Sequence, residues 1–231
     1  MQARLVAALR RHGPAGLPGA AVRRVAANAR GRLEATAERA FDRRRRIETT
    51  GVIQLHTSGT TTRYEPVRPA AFRDFMRHVP LDPGGMTFLD CGSGRGRALF
   101  LAIEHGFGTA VGVEIEPAHH QAAVANRSRY RGHGERIQLV HGDARDVPIP
   151  GGPVVIFLYN PFPRAVMVDV AAKIGASLRA QPRPAWVIYE APVDRDLFDA
   201  EPLLELIAAR TERAGASPRR PRYAVYATRA R

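Results

Sequence analysis

The sequence predicts an α/β fold: a doubly wound, mostly parallel sheet with an antiparallel strand pair at the C-terminus and a helical arm at the N-terminus. Three observations predict it. Short, near-continuous apolar segments alternate with helix-length segments from Met86 to Glu190, the pattern of a parallel sheet covered on both faces. A glycine-rich turn follows the first of these segments, in "LDCGSGRGRALF". Two more strand-like stretches, "LLELIAAR" and "RYAVYATR", close the chain around the loop-like "ERAGASPRRP", which suits an antiparallel terminal pair.

Residues 1–46 read as a basic helical arm. "GPAGLPG" splits it as a loop would, and Val22, Val25, Ala26, Ala29, Leu33, Ala37 and Phe41 then recur at helical spacing up to Arg43–Arg46. Those four arginines suit either a solvated helix end complementing the helix dipole or a docking surface for an acidic substrate. Residues 47–85 follow. "IETTGVIQLHTSGTTTRYEPVRP" is rich in Thr and Gly and has no sustained period, so it reads as a lid segment, with His56 and Tyr64 as its candidate site groups. "PAAFRDFMRHV" reads as a short lead-in helix.

The core, residues 86–231, is read element by element. "MTFLD" is a strand and is followed by a helix through His105. "TAVGVE" is a strand followed by a helix from Pro117 to about Arg129. "RIQLV" leads to "HGDARD". "PVVIFLYN" precedes a helix from about Arg164 to Arg179, and "AWVIYE" ends at Glu190.

Bulk properties bound the function. A chain of 231 residues buries a real core. No apolar run approaches the roughly 18–20 residues of a membrane span, and the start is a poor secretory signal, although an Arg-rich, acid-poor N-terminus also resembles an organelle transit peptide. Cys91 is the single cysteine, so no internal disulfide forms, which suits a reducing, cytoplasmic setting. The net charge of +13 favours an acidic partner such as nucleic acid. Yet Lys173 is the single lysine, and such an arginine skew fits coding bias as well as a binding face. No Cys or His cluster has metal-ligand spacing.

The chemistry concentrates at strand ends. Asp90 precedes Gly92, Gly94 and Gly96. A turn of this kind brings backbone close to a ligand, but the spacing is G-x-G-x-G rather than the dinucleotide G-x-G-x-x-G. A carboxylate at Asp90 would repel a pyrophosphate and suits a cationic or hydroxylated ligand. Glu114 ends the second strand, where an acid binds ribose hydroxyls, and Asp143 follows the third, where a carboxylate accepts from an adenine amine.

Together these motifs resemble the class I (Rossmann-like) S-adenosylmethionine-dependent methyltransferases. The likeness covers roughly Met86 to Glu190 and the terminal hairpin. "GSGRGR", "GVE" and "YNPF" also resemble a poorly characterised bacterial group within them. The resemblance implies S-adenosyl-L-methionine as cofactor. It implies that Asp90 meets the methionine amino end and that Gly92, Gly94 and Gly96 lie along the nucleoside and methionine. It implies Glu114 on the ribose, and Asp143 with the Ala144 amide at the adenine. "YNPFP" is similar to the [DN]-P-P-[YFW] motif of amino-methylating members, which implies an acceptor held by Asn160 with Tyr159 and Phe162 as walls. This chain has N-P-F-P, its aromatic one place early. The methyl acceptor, small molecule or macromolecule, is not named by the sequence. Two other readings stand beside this one: an NAD-type oxidoreductase on a related fold, and a methyltransferase-like scaffold that binds nucleic acid.

Overall fold

The structure, a computed structural model, describes residues 35–51, 53–57, 60–211 and 221–229. Two compact units divide the chain, residues 1–44 and 45–231. Of the arm, residues 35–45 form a helix, α1. The expected short helix, the "GPAGLPG" loop and the start of the longer helix lie outside the described residues, as does most of the "ERAGASPRRP" loop.

The Thr/Gly-rich segment departs from expectation. It forms a hairpin in which β1 (Ile53–Thr57) pairs antiparallel with β2 (Thr60–Tyr64). Thr is a strand former; Ile53 and Leu55 alternate with Gln54 and His56 in β1, but the alternation covers that one strand, and the Thr-rich β2 carries none. Helix α2 (Pro69–Met76) follows, with Pro at its first position and Ala71, Phe72, Phe75 and Met76 buried.

The core alternates as the apolar pattern dictates. Its elements are β3 (Thr87–Cys91), α3 (Arg97–His105), β4 (Thr109–Glu114), α4 (Pro117–Arg129), β5 (Ile137–His141), β6 (Val154–Tyr159), α5 (Arg164–Ala180), β7 (Ala185–Glu190), the short α6 (Asp196–Asp199), β8 (Leu204–Thr211) and β9 (Pro221–Thr228). The seven strands stand in the order β5-β4-β3-β6-β7-β9-β8. Pairing is parallel from β5 through β7 and antiparallel for β7–β9 and β8–β9. The sheet is therefore mostly parallel with an antiparallel C-terminal pair.

Period-two alternation splits the core into two faces. On one face Phe72 and Phe75 of α2 pack on Phe88, Phe157 and Tyr223. On the other, Leu89, Ile156, Leu158 and Val187 pack with Met167, Val170 and Ile174 of α5. Strand order reverses at β3, which has β4 on one side and β6 on the other. Ligands of open α/β sheets bind in the crevice beyond the carboxyl ends of the strands at such a reversal. Among the described residues no helix is long and apolar enough to cross a membrane.

Candidate functional site

A cavity of about 410 Å³ lies beyond the carboxyl ends of β3, β4, β5 and β6, within the size range of small-molecule sites. Asp90, Gly92, Gly94, Glu114, Asp143, Ala144, Tyr159 and Phe162 all line it. Far apart in sequence, they meet because parallel strands present their ends on one edge.

The glycine turn is built for close approach. Gly92 and Gly94 have φ of +87° and +54°, a region side chains avoid. A Cβ on Gly92 would stand 2.6 Å from Pro161 Cβ. The backbone amides of Gly92 and Ser93 both donate to the Val113 carbonyl at 2.9 Å. Glu114 fixes the turn from the neighbouring strand: its Oε2 accepts from the Gly94 amide at 2.7 Å and its Oε1 from the Glu116 amide at 2.8 Å. The expected ribose acceptor is thus also the brace of the glycine loop. Gly96 is not among the cavity's lining; it caps α3 and faces Leu99, Phe100 and Ala123.

The acids differ in state. Asp90 is 4% exposed, and burial, reinforced by the Glu114 charge, raises its pKa well above the usual carboxylate range. Asp143 goes the other way: hydrogen bonds from Arg145, including 2.7 Å from Nη2, hold its carboxyl below that range. Cys91 is pushed up to about 12, by burial first and by Asp90 second, so the thiol is inert and packs as a small apolar group.

Of the YNPFP segment, Asn160 stands apart from the cavity lining. The cavity is lined by its neighbours Tyr159, Pro161 and Phe162 and not by Asn160 itself. Asn160 is exposed, adopts φ +39°, and its Oδ1 stands 3.5 Å from the Tyr189 hydroxyl. Asn tolerates the left-handed region better than most residues, which accounts for its presence at this turn.

Several residues that build the site carry no motif in the sequence. Tyr64 reaches the cavity, donates to the Thr49 carbonyl at 2.8 Å and packs against His119 with ring centroids 5.0 Å apart. His56 lies in β1, and its side chain falls outside the described residues. Arg97, 1% exposed, lines the cavity and donates to Thr49 Oγ1 at 2.6 Å and Thr50 Oγ1 at 2.8 Å. Asn126 accepts from the Glu48 amide and donates to the Glu48 and Arg95 carbonyls. Arg45, from the tetra-arginine run, pairs with Glu104 at 2.5–2.6 Å. Residues 45–50 are in this way fastened to α3, α4 and the glycine loop. Ile115 keeps 59% of its surface exposed at the cavity wall, an apolar face beside Glu114.

Lys173, the single lysine, braces the far wall. Its ammonium on α5 donates to the carbonyls of Ala144 and Val147, and so holds the turn that carries Asp143. Lys173→Met keeps an unbranched apolar side chain but removes the charged donor. The expected loss is about 1.5–3 kcal/mol of stability, read as a shift in the denaturant midpoint at constant slope. An unchanged midpoint would show that this turn holds itself.

No family model and no curated protein matches the chain. Solved structures do. The chain is similar to yhhF from Escherichia coli, provisionally assigned as a methyltransferase, with a TM-score of 0.54 at 16% identity over 78% of this chain and 100% of that one. It is similar to the glycopeptide N-methyltransferase MtfA, with a TM-score of 0.52 at 13% identity over 71% of this chain and 96% of that one. It is also similar to an N6-adenine-specific DNA methylase predicted in Listeria monocytogenes, with a TM-score of 0.52 at 11% identity over 72% of this chain and 52% of that one. At these identities the likeness establishes the fold, a Rossmann-like sheet shared with structures described as methyltransferases.

Proposed function

We propose that the chain is an S-adenosylmethionine-dependent methyltransferase. The observation that carries the reading is the single cavity wall formed by Asp90, Gly92, Gly94, Glu114 and Asp143 beyond adjacent strand ends. The residues fit that cofactor by their chemistry. Asp90, buried and raised in pKa, gains its charged form when a cation arrives, as the methionine ammonium would. Glu114 uses one lone pair of each oxygen on backbone amides and keeps others for ribose hydroxyls. Asp143 and the Ala144 amide suit the polar edge of adenine, and Ile115 offers an apolar surface to its ring. A pyrophosphate at the glycine turn would instead meet the carboxyl group of Asp90, which disfavours NAD.

S-adenosylmethionine, when bound, supplies an already activated methyl group on sulfur. The protein's task is then to orient two reactants and exclude water, and positioning of this kind accounts for about 7–11 kcal/mol of barrier reduction. Residues 86–231 carry the cofactor wall. Residues 47–85 supply Tyr64, Glu65, Pro66 and Val67 to the same cavity, with the Tyr64 ring against Gly94, and act as the lid. The acceptor enters over β6, between Glu65, Tyr159 and Phe162.

Calorimetry tests the reading. The chain should bind S-adenosylhomocysteine and not NAD, and labelled methyl groups should pass into one fraction of an extract split into RNA, protein and small molecules. Tight NAD binding without S-adenosylhomocysteine binding would overturn it.

A further inference from the structure

The β6 end of the cavity holds a group of ionisable residues that the cofactor does not need. Glu65 and Tyr159 line the cavity there, and the Tyr159 hydroxyl bonds Glu65. Glu190 ends β7 directly abreast of Tyr159 in the parallel register. It is 4% exposed, and its Oε2 has no hydrogen-bond partner among the described residues. An acid so placed is costly unless it serves a charge. The groups facing it are Arg68 and Glu65 from the segment before α2, Tyr159 from β6 and Arg222 from β9.

Resting on the methyltransferase reading, we infer that Glu65 and Tyr159 on the cavity wall, backed by the buried Glu190 beside Tyr159, form an acidic end that draws in an amine as the methyl acceptor: it binds as its ammonium, loses the proton to water, and its lone pair then takes the methyl group as the sulfur–carbon bond breaks. Glu65 and Tyr159 line the cavity at this end, whereas Asn160 does not, so they are the side-chain oxygens that face the acceptor. Burial, partly countered by Arg222 and Arg68, holds Glu190 up at about 7. Its charge therefore appears as pH rises through neutrality, whereas an arginine stays charged throughout that range. Burial and the negative charges of Glu190 and Glu65 also raise Tyr159, which keeps its proton and remains a donor.

Sinefungin gives a probe that needs no identified acceptor. It carries an amine where the methyl donor carries its methyl group, and S-adenosylhomocysteine carries nothing there. The two share the amino-acid end that faces Asp90, so the ratio of their affinities cancels Asp90's own titration. In the wild-type protein that ratio should rise in favour of sinefungin by about tenfold between about pH 6 and pH 8, the size of one new charge acting across several ångströms. In Glu190→Gln the ratio should be flat with pH. Glu65→Gln, at an exposed position, should lower the ratio at every pH, and it keeps the test decisive if the buried variant does not fold. A flat ratio in the wild type overturns the inference, and so does a rise that persists in Glu190→Gln. S-adenosylhomocysteine binding with no preference for sinefungin at any pH removes the acidic end alone. Absence of binding by either ligand removes the methyltransferase reading and this inference with it.

Discussion

Glu114→Ala is expected to weaken S-adenosylhomocysteine binding by about a hundredfold or more and to lower stability at the same time. A single hydrogen bond from a ligand to a charged group contributes about 1.5–3 kcal/mol, which is about 10- to 150-fold in affinity. Here the carboxylate does more than face the ligand. It accepts from the amides of Gly94 and Glu116, so its removal leaves two backbone donors without their partner and releases the turn on which the cofactor would lie. Glu114→Gln separates charge from shape. The amide keeps one oxygen but turns an NH₂ toward a backbone N–H, so it should recover only part of the loss. A second signature follows in Asp90. The Glu114 charge helps to raise the Asp90 pKa, so removing that charge should let Asp90 ionise at lower pH. Calorimetry across a pH series and thermal unfolding of both variants check the three effects. Normal affinity in Glu114→Ala would show that the ligand lies elsewhere.

The core was legible because its strands are simple. In β6 and β7 nearly every residue is buried, and a run such as "VVIFLY" has no other stable home than the middle of a covered parallel sheet. Asp90, Glu114 and Asp143 were legible for the same reason, since a lone acid at the end of an apolar strand sits at the sheet's carboxyl edge. What escaped the sequence depends on partners far along the chain. Arg97 reads as an ordinary helix residue until Thr49 and Thr50, nearly fifty positions earlier, are found on its guanidinium. Asn126 likewise reaches back seventy-eight positions to Glu48. Glu190 reads merely as the end of a strand, because its neighbours Arg222 and Arg68 come from separate elements. Asn160 shows the reverse case. Its motif is recognisable, but the direction of its side chain follows from one backbone angle, φ +39°, which no residue spacing encodes.

Gly94→Ala should destabilise the protein by about 3 kcal/mol, and the cost should depend on Tyr64. Backbone strain and a steric clash both contribute. The left-handed backbone, φ +54°, costs an alanine about 1–2 kcal/mol, offset in part by a less flexible unfolded chain, worth about 0.4–1 kcal/mol. The clash costs more. A Cβ on Gly94 would stand 2.5 Å from Tyr64 Cδ2, well inside contact distance. The ring cannot swing away freely, because its hydroxyl is bonded to the Thr49 carbonyl and its face packs against His119. Displacing it breaks that hydrogen bond, about 0.5–1.5 kcal/mol, and opens the wall that residues 64–67 present to the cavity. In a Tyr64→Ala background the clash vanishes and the backbone strain stays, so the same glycine substitution should cost only about 1 kcal/mol. The difference between the two backgrounds is a coupling energy, large because the residues touch. Denaturant unfolding of the four proteins in the cycle measures it. Equal costs in both backgrounds would show that Tyr64 does not rest on the glycine loop.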